Sequence, residues 1–138
     1  MYAVEGNHDT MGAKEGELAL RHIEDLTNIK FLYNESLTLP DLHIQLIGIE
    51  EAGQRKNKGI DEILQASNIQ TSNTFNILMT HQPLHLEKTR NLPIDLEVAG
   101  HTHKMQLRGL HFLSHLINDY TYGLYTRQDR KAFVTQGI

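Results

Sequence analysis

The chain contains no cysteine and no tryptophan among its 138 residues. Without cysteine, a disulfide scaffold, a thiolate metal site and a cysteine nucleophile are all excluded. No apolar run approaches the roughly 18 residues that a membrane-spanning helix needs. Acidic residues outnumber basic ones, 17 to 13, so the net charge is −4 with histidine taken as neutral. The basic face of a nucleic-acid binder is therefore missing, and we expect no specific nucleic-acid binding.

Histidine, in contrast, is abundant, with nine residues. Apolar residues make up 39% of the chain and charged residues 22%, which is a globular balance. The length is that of one ordinary domain. Any function assigned to the chain therefore has to account for its many histidines and for its length.

The apolar pattern predicts an α/β fold with a mixed sheet, because strands alternate with helices and a hairpin follows. A helix is predicted over residues 13–26 and a second over 60–66, after a polar loop at 50–59. Residues 104–118 are mixed and are expected to hold one or two helical turns. The predicted strands cover residues 29–33, 36–39, 43–49, 75–80, 96–100, 122–126 and 132–135, with a charged turn at 127–131 between the last two.

Three apolar strands, the first of them predicted over residues 2–5, end in side chains that can bind metal. They are followed by Gly6-Asn7-His8-Asp9, by His81-Gln82-Pro83 and by Gly100-His101-Thr102-His103. Ligand sites in open α/β sheets form beyond the carboxyl ends of strands, so the three ends can converge on one pocket. In extended backbone, His101 and His103 point the same way. Imidazole and amide oxygen suit first-row cations such as Mn, Fe, Co or Zn.

The first of these segments also carries two side chains suited to proton transfer. His8 can act as a general acid or as a charge stabiliser, and a carboxylate such as Asp9 can fix its tautomer. A structural interpretation stays open, in which Asn7 is a turn residue and His101 and His103 end a surface strand. The remaining histidines are expected to be surface or hydrogen-bonded residues: His22, His43, His85, His111 and His115.

Taken in order, these motifs resemble the last three motifs of the calcineurin-like metallophosphoesterases. Residues 6–9, a strand that ends in His81, and residues 100–103 carry the resemblance. Residues 122–125 and 133–138 resemble the closing hairpin of the bacterial membrane-associated subgroup of that family. One Gly-Asn-His-Asp alone would be a weak signal, but three ordered motifs that each follow an apolar strand are specific.

The resemblance implies a β-sandwich of two mixed sheets flanked by helices, with two divalent metal ions (Mn, Fe, Zn or Co) at the strand ends. By position, one metal would be bound by His103 and the other by Asn7, His81 and His101. The implied reaction is hydrolysis of a phosphomonoester, phosphodiester or pyrophosphate by a hydroxide that the two metals activate. The resemblance implies that His8 assists the leaving group and that Asp9 orients His8.

Two further family motifs, Asp-x-His and Gly-Asp, come before Gly-Asn-His-Asp, and only five residues precede Gly6 here. We therefore expect residues 1–138 to be a single partial domain, the C-terminal two-thirds of the family fold without its first strands. The bridging carboxylate would then be missing. Two alternatives to an enzyme follow: a non-catalytic remnant that binds metal weakly, and a module completed by a separate chain.

The motifs do not name the substrate beyond a small phosphoester or pyrophosphate, and they leave the metal and the oligomeric state open. A cytoplasmic location is expected. Peripheral membrane association would depend on an anchor in an upstream segment.

Overall fold

The computed structural model describes residues 1–6, 9, 14–50, 68–83, 89–100 and 122–135. Apart from Glu50, the predicted loop at 50–59, the predicted helix at 60–66 and the segment 104–118 lie outside these residues. The described elements are β1 (Tyr2–Ala3), α1 (Lys14–Leu26), β2 (Lys30–Phe31), β3 (Glu35–Leu39), β4 (Ile44–Ile49), β5 (Phe75–Thr80), β6 (Leu96–Ala99), β7 (Gly123–Arg127) and β8 (Arg130–Val134), with one turn of 3₁₀ helix at Pro40–Leu42. No helix within the described ranges is long and apolar enough to cross a membrane.

The strands form a small sheet and a large one. In the small sheet β1 pairs with β2 in parallel, and the large sheet has the order β3-β4-β5-β6-β8-β7. Strands β4, β5, β6 and β8 run parallel to one another, while β3 and β7 pair antiparallel at the two edges. The predicted α/β fold with a mixed sheet is confirmed.

The two faces of the large sheet differ in burial. On the inner face, Ile47, Ile49 and Leu78 are fully buried and pack with Ile94. On the opposite face, one cross-strand row carries apolar side chains that are only partly covered. We call this side the outer face, and its row consists of Gly48, Met79, Val98, Phe133 and Leu124. Burial along the row decreases from Gly48, which is buried, to Leu124, which is 60% exposed.

Two buried amides close the amino-terminal edge of the parallel strands. Gln45 and Asn76 are partners in the β4–β5 register and both lie on the inner face. The Gln45 side chain accepts a hydrogen bond from the Gln70 amide at 2.8 Å and donates one to the Asn68 carbonyl at 3.3 Å. Asn76 Nδ2 donates to the carbonyls of Gln70 and Pro93. These bonds fix the segments that enter β5 and β6.

A glycine lets the small sheet approach the large one. A Cβ added at Gly48 of β4 would lie 2.2 Å from Cβ of Leu32, the buried residue after β2, and 3.0 Å from its carbonyl oxygen. A second link lies two residues further along both segments. There Asn34 donates from Nδ2 to the Glu50 carboxylate, and the Glu50 amide donates back to Asn34 Oδ1 at 3.2 Å.

The helix is confirmed, but it buries a different face from the one its apolar residues suggest. Leu18 and Leu26 are exposed, whereas Leu20 is buried. Glu24, one turn after Leu20, accepts a hydrogen bond from the Phe31 amide at 2.7 Å. This contact aligns the face of Leu20 and Glu24 with the small sheet and turns the other leucines towards solvent.

The predicted charged turn at 127–131 is wrong in its bounds. Arg127 pairs with Arg130, so only Gln128 and Asp129 connect β7 to β8. Gln128 has a φ of 58°, a value that two-residue hairpin connections require. Lys131 lies within β8 and is exposed between half-buried Arg130 and buried Ala132, so the strand alternation includes the charged residues.

Gly48→Ala tests the contact between the sheets. The new methyl group meets a Cβ and a backbone oxygen, neither of which can rotate away. We expect the free energy of unfolding in urea to fall by about 3 kcal/mol or more. Ile47→Val removes one buried methyl group from the inner face of the same strand and calibrates the assay at about 0.5–1.5 kcal/mol. A smaller loss for Gly48→Ala than for Ile47→Val would contradict this close contact.

Candidate active site

The carboxyl ends of the parallel strands lie at one edge of the large sheet. Thr80 is the partner of both Ile49 and Ala99, so Glu50, His81 and Gly100 follow adjacent strands at the same level. The pairing continues past the strand ends, because the Gly100 amide donates to the His81 carbonyl at 3.0 Å. The second and third sequence motifs therefore meet through the backbone.

The turn after β5 sets the position of His81. The buried hydroxyl of Thr80 donates to the carbonyl of Gln82 at 2.8 Å, a bond that spans His81. Together with the bond from Gly100, it holds the backbone of His81 on both sides. The side chain of His81 is half-buried at the sheet edge.

The imidazole of His81 packs directly on the backbone of Gly6. A Cβ at Gly6 would lie 2.8 Å from Cε1 and 2.9 Å from Nδ1 of His81. Those distances are shorter than a van der Waals contact, so the ring occupies the space that any other residue would fill. The glycine of the first motif thus allows the small sheet to reach the histidine of the second.

Gly6 and Asp9 form a tight turn with two reciprocal hydrogen bonds. The Asp9 amide donates to the Gly6 carbonyl at 3.2 Å, and the Gly6 amide donates to Oδ2 of Asp9 at 2.7 Å. The same Oδ2 lies 3.4 Å from the Cβ position of Gly6, which the His81 ring also approaches. An imidazole and a carboxylate oxygen therefore both approach the position that a side chain at Gly6 would take.

Of the six predicted site residues, the structure describes Asp9 and His81. Asn7, His8, His101 and His103 lie outside the described residues, so the set of metal ligands stays a prediction. In the described part of the chain, no group of three or more His, Asp or Glu side chains could hold a metal ion. His22 and His43 are exposed, as expected of surface histidines.

The described donors suit the expected class of metal. His81 offers an imidazole at the edge where three strand ends meet, and Asp9 places carboxylate oxygen beside the same glycine. Nitrogen and oxygen donors of this kind bind borderline first-row cations. The chemistry of this edge therefore fits a divalent metal.

Two buried carboxylates were not predicted from the sequence. Glu5, directly before Gly6, is 2% exposed, and Glu97 of β6 is 1% exposed between Leu78 and Ala132. A buried carboxylate needs polar or charged partners, because its desolvation is costly, and each of the two residues makes interactions in the structure. For Glu97, the sequence does contain an indication of burial, because this acid stands between Leu96 and Val98 in an apolar strand.

Comparison with known proteins gives several relatives. The chain is 28% identical to phosphodiesterase YaeI of Escherichia coli K12 over 99% of its own length and 50% of that protein. It is 29% identical to the uncharacterized metallophosphoesterase Cj0846 of Campylobacter jejuni, over 96% of this chain and 36% of that one. The uncharacterized metallophosphoesterase YkuE of Bacillus subtilis is 33% identical over 46% of this chain and 24% of the length of YkuE. The chain thus spans half the length of these curated relatives or less.

No solved structure matches the chain. The calcineurin-like phosphoesterase family matches residues 1–105, which include all three motifs. The match covers most of the sequence and ends just past the last predicted metal ligand. The chain therefore belongs to the calcineurin-like phosphoesterase family.

Proposed function

We propose that this chain carries the phosphoester-binding edge of a metal-dependent hydrolase that cleaves phosphomonoesters or phosphodiesters. The proposal rests on one observation, that the segments after β1, β5 and β6 meet at Gly6, His81 and Gly100. The His81 ring lies against Gly6, and the His81 carbonyl accepts the Gly100 amide. Three segments that are distant in sequence supply one edge with polar groups, as an active site requires.

Two divalent metal ions are the proposed cofactors. His81 would bind one of them together with Asn7 and His101, and His103 would bind the other. When bound, such cations supply Lewis-acid polarisation of phosphoryl oxygen and activation of water. The contribution of the chain is to hold the imidazole of His81 at a fixed position, which the backbone bonds on both sides of this residue support.

His8 is the proposed proton donor to the leaving oxygen, in the role of a general acid. It is separated from Gly6 by one residue and is followed directly by Asp9, whose two bonds to Gly6 close the turn. Gly6 and Asp9, the described residues of this motif, lie beside the His81 ring. A proton donor from the same motif would serve a phosphoester bound at that edge.

The proposed substrate is a small phosphoester, and the name of the Escherichia coli relative, a phosphodiesterase, favours a diester. We propose that further chain is needed for full activity, because each relative is at least about twice as long as the segment that matches it. The carboxylate that bridges two metals in the family would come from that additional chain. We also propose a single partial domain over residues 1–138 and a cytoplasmic location.

A second candidate function is that of a module completed by a separate polypeptide. The outer face favours it, because Phe133 is 42% and Leu124 is 60% exposed in one continuous apolar row. Leu32 of the small sheet already covers the Gly48 end of that row. The occupant that fits is a strand-forming segment that extends the small sheet across the remaining row, since apolar sheet faces pack on one another.

His101→Ala tests the hydrolase. With added Mn²⁺, we expect the chain to hydrolyse bis-p-nitrophenyl phosphate, and the variant to lose about 100-fold or more, because even outer partners of metal ligands contribute 10–100-fold. His22→Ala on the exposed side of α1 should keep wild-type activity. Equal activity in all three proteins would contradict a metal site in this chain, and no activity in wild type would favour the non-catalytic remnant over the hydrolase.

Gly6→Ala tests the contact between the first two motifs. The added methyl group has to displace the His81 ring, which can swing because it is the far end of a side chain. We expect Mn²⁺-dependent activity to fall by about tenfold or more. The free energy of unfolding should change by less than about 1 kcal/mol, because no backbone atom is in the way. Unchanged activity would show that the position of this ring is irrelevant to catalysis.

Leu124→Lys tests the module hypothesis. If the outer face needs a cover, the isolated chain should self-associate in sedimentation equilibrium, and a charge at the most exposed end of the row should weaken that association by about tenfold or more. Leu18→Lys on α1, where the leucine is 66% exposed, is the matched control and should leave association unchanged. A folded monomer at all concentrations would remove the basis of this candidate.

A further inference from the structure

The Gly6 amide finds its hydrogen-bond acceptor in the side chain of Asp9. The N–O distance to Oδ2 is 2.7 Å, and the return bond from the Asp9 amide to the Gly6 carbonyl is 3.2 Å. A bond from an amide to a carboxylate is charge-assisted and stronger than one between neutral groups. The carboxylate therefore has a defined structural partner within its own turn.

Strand β1 does little to anchor Gly6. It contains only Tyr2 and Ala3, and its pairing with β2 extends one further bond, from the Leu32 amide to the Ala3 carbonyl at 2.9 Å. Gly6 lies three residues beyond that strand. Among the hydrogen bonds described for residues 4–6, those to Asp9 are what hold the Gly6 backbone.

The position of Gly6 in turn limits the His81 imidazole. The ring atoms Cε1 and Nδ1 lie within 2.9 Å of the Cβ position of Gly6, so the backbone of Gly6 forms one wall of the ring's site. The backbone of His81 is already fixed by the bonds of Thr80 and Gly100. The orientation of the ring therefore depends on whether its Gly6 wall stays in place.

We propose that Asp9 is a positioning residue for His81. Its carboxylate holds the Gly6 amide and so keeps the Gly6 backbone against the His81 ring. This assignment rests on the proposed function and differs from an orienting role of Asp9 on His8. What the turn needs from residue 9 is a hydrogen-bond acceptor, whereas an ionic role on a neighbouring histidine needs the negative charge.

Two substitutions separate these roles. Asp9→Asn keeps an oxygen that can accept the Gly6 bond and removes the charge, whereas Asp9→Ala removes both. The matched controls are Asp129→Asn and Asp129→Ala. Asp129 is exposed in the connection before β8, at the sheet edge opposite to His81, because β8 runs parallel to β6.

The first measurement is the ¹H–¹⁵N spectrum of the histidine rings in the metal-free full chain, with His81 assigned by His81→Gln. We expect Asp9→Asn and both Asp129 variants to leave the His81 ring signals in place, and Asp9→Ala to shift them. Gly6→Ala, which displaces the ring directly, sets the scale of that shift. If Asp9→Ala does not fold, Gly6→Ala still shows whether the His81 ring signals respond to a change at Gly6. Unmoved signals in a folded Asp9→Ala, or equal shifts in both Asp9 variants, would overturn the proposal.

The second measurement is kcat/KM for bis-p-nitrophenyl phosphate with Mn²⁺. Asp9→Ala should lose about tenfold or more, the range found when a partner that orients a ligand is removed, and Asp9→Asn should stay within about threefold of wild type. A loss in Asp9→Asn as large as in Asp9→Ala would assign the effect to charge and contradict positioning. If wild type itself shows no hydrolysis, catalysis by this chain alone is ruled out, while the ring signals still decide the role of Asp9.

Discussion

The parallel pairing of β4, β5 and β6 is the constraint on which the rest of the structure depends. Because these strands run in one direction and in fixed register, the residues that follow them reach the same edge at the same level. His81 and Gly100 become neighbours for this reason alone, and their backbone bond continues the ladder by one step. An antiparallel arrangement would place the two motifs at opposite edges of the sheet.

The register itself is maintained from the opposite edge. Gln45 and Asn76 face each other on the inner face, and their amides bond to the segments that lead into β5 and β6. A slip of either strand by one residue would turn its amide to the outer face and break the bonds of that amide, since side chains alternate along a strand. Buried polar groups far from the candidate site thus determine which residues appear in it.

The positions of the strands along the chain could be predicted from the sequence better than the contacts between them. The apolar runs at 43–49, 75–80 and 96–100 predicted three strands of a mixed sheet, and the motifs at their ends follow from chain order. The packing of His81 on Gly6 could not be predicted, because it depends on how two separate sheets meet. The inward face of α1 could not be predicted either, because it depends on the bond between Glu24 and Phe31 of the small sheet. In each case a tertiary contact overrides the local pattern.

The site is divided between a firmly held part and a lightly held part. His81 and Gly100 belong to the large sheet, whose pairing fixes them from both sides. Gly6 and Asp9 follow the small sheet, whose two strands have two residues each, and such short ladders are marginal on their own. The first motif therefore relies on contacts between the sheets.

Those contacts are the fit of Leu32 on Gly48, the bonds between Asn34 and Glu50, and the packing of Gly6 on His81. The last of them is also part of the candidate site. Whatever strengthens the small sheet, including strands added beside it, would for this reason also sharpen the geometry around His81. Under the two proposed functions, completion of the fold and assembly of the metal site would be coupled through the same few residues, and the enzyme and module hypotheses would describe two consequences of one interface.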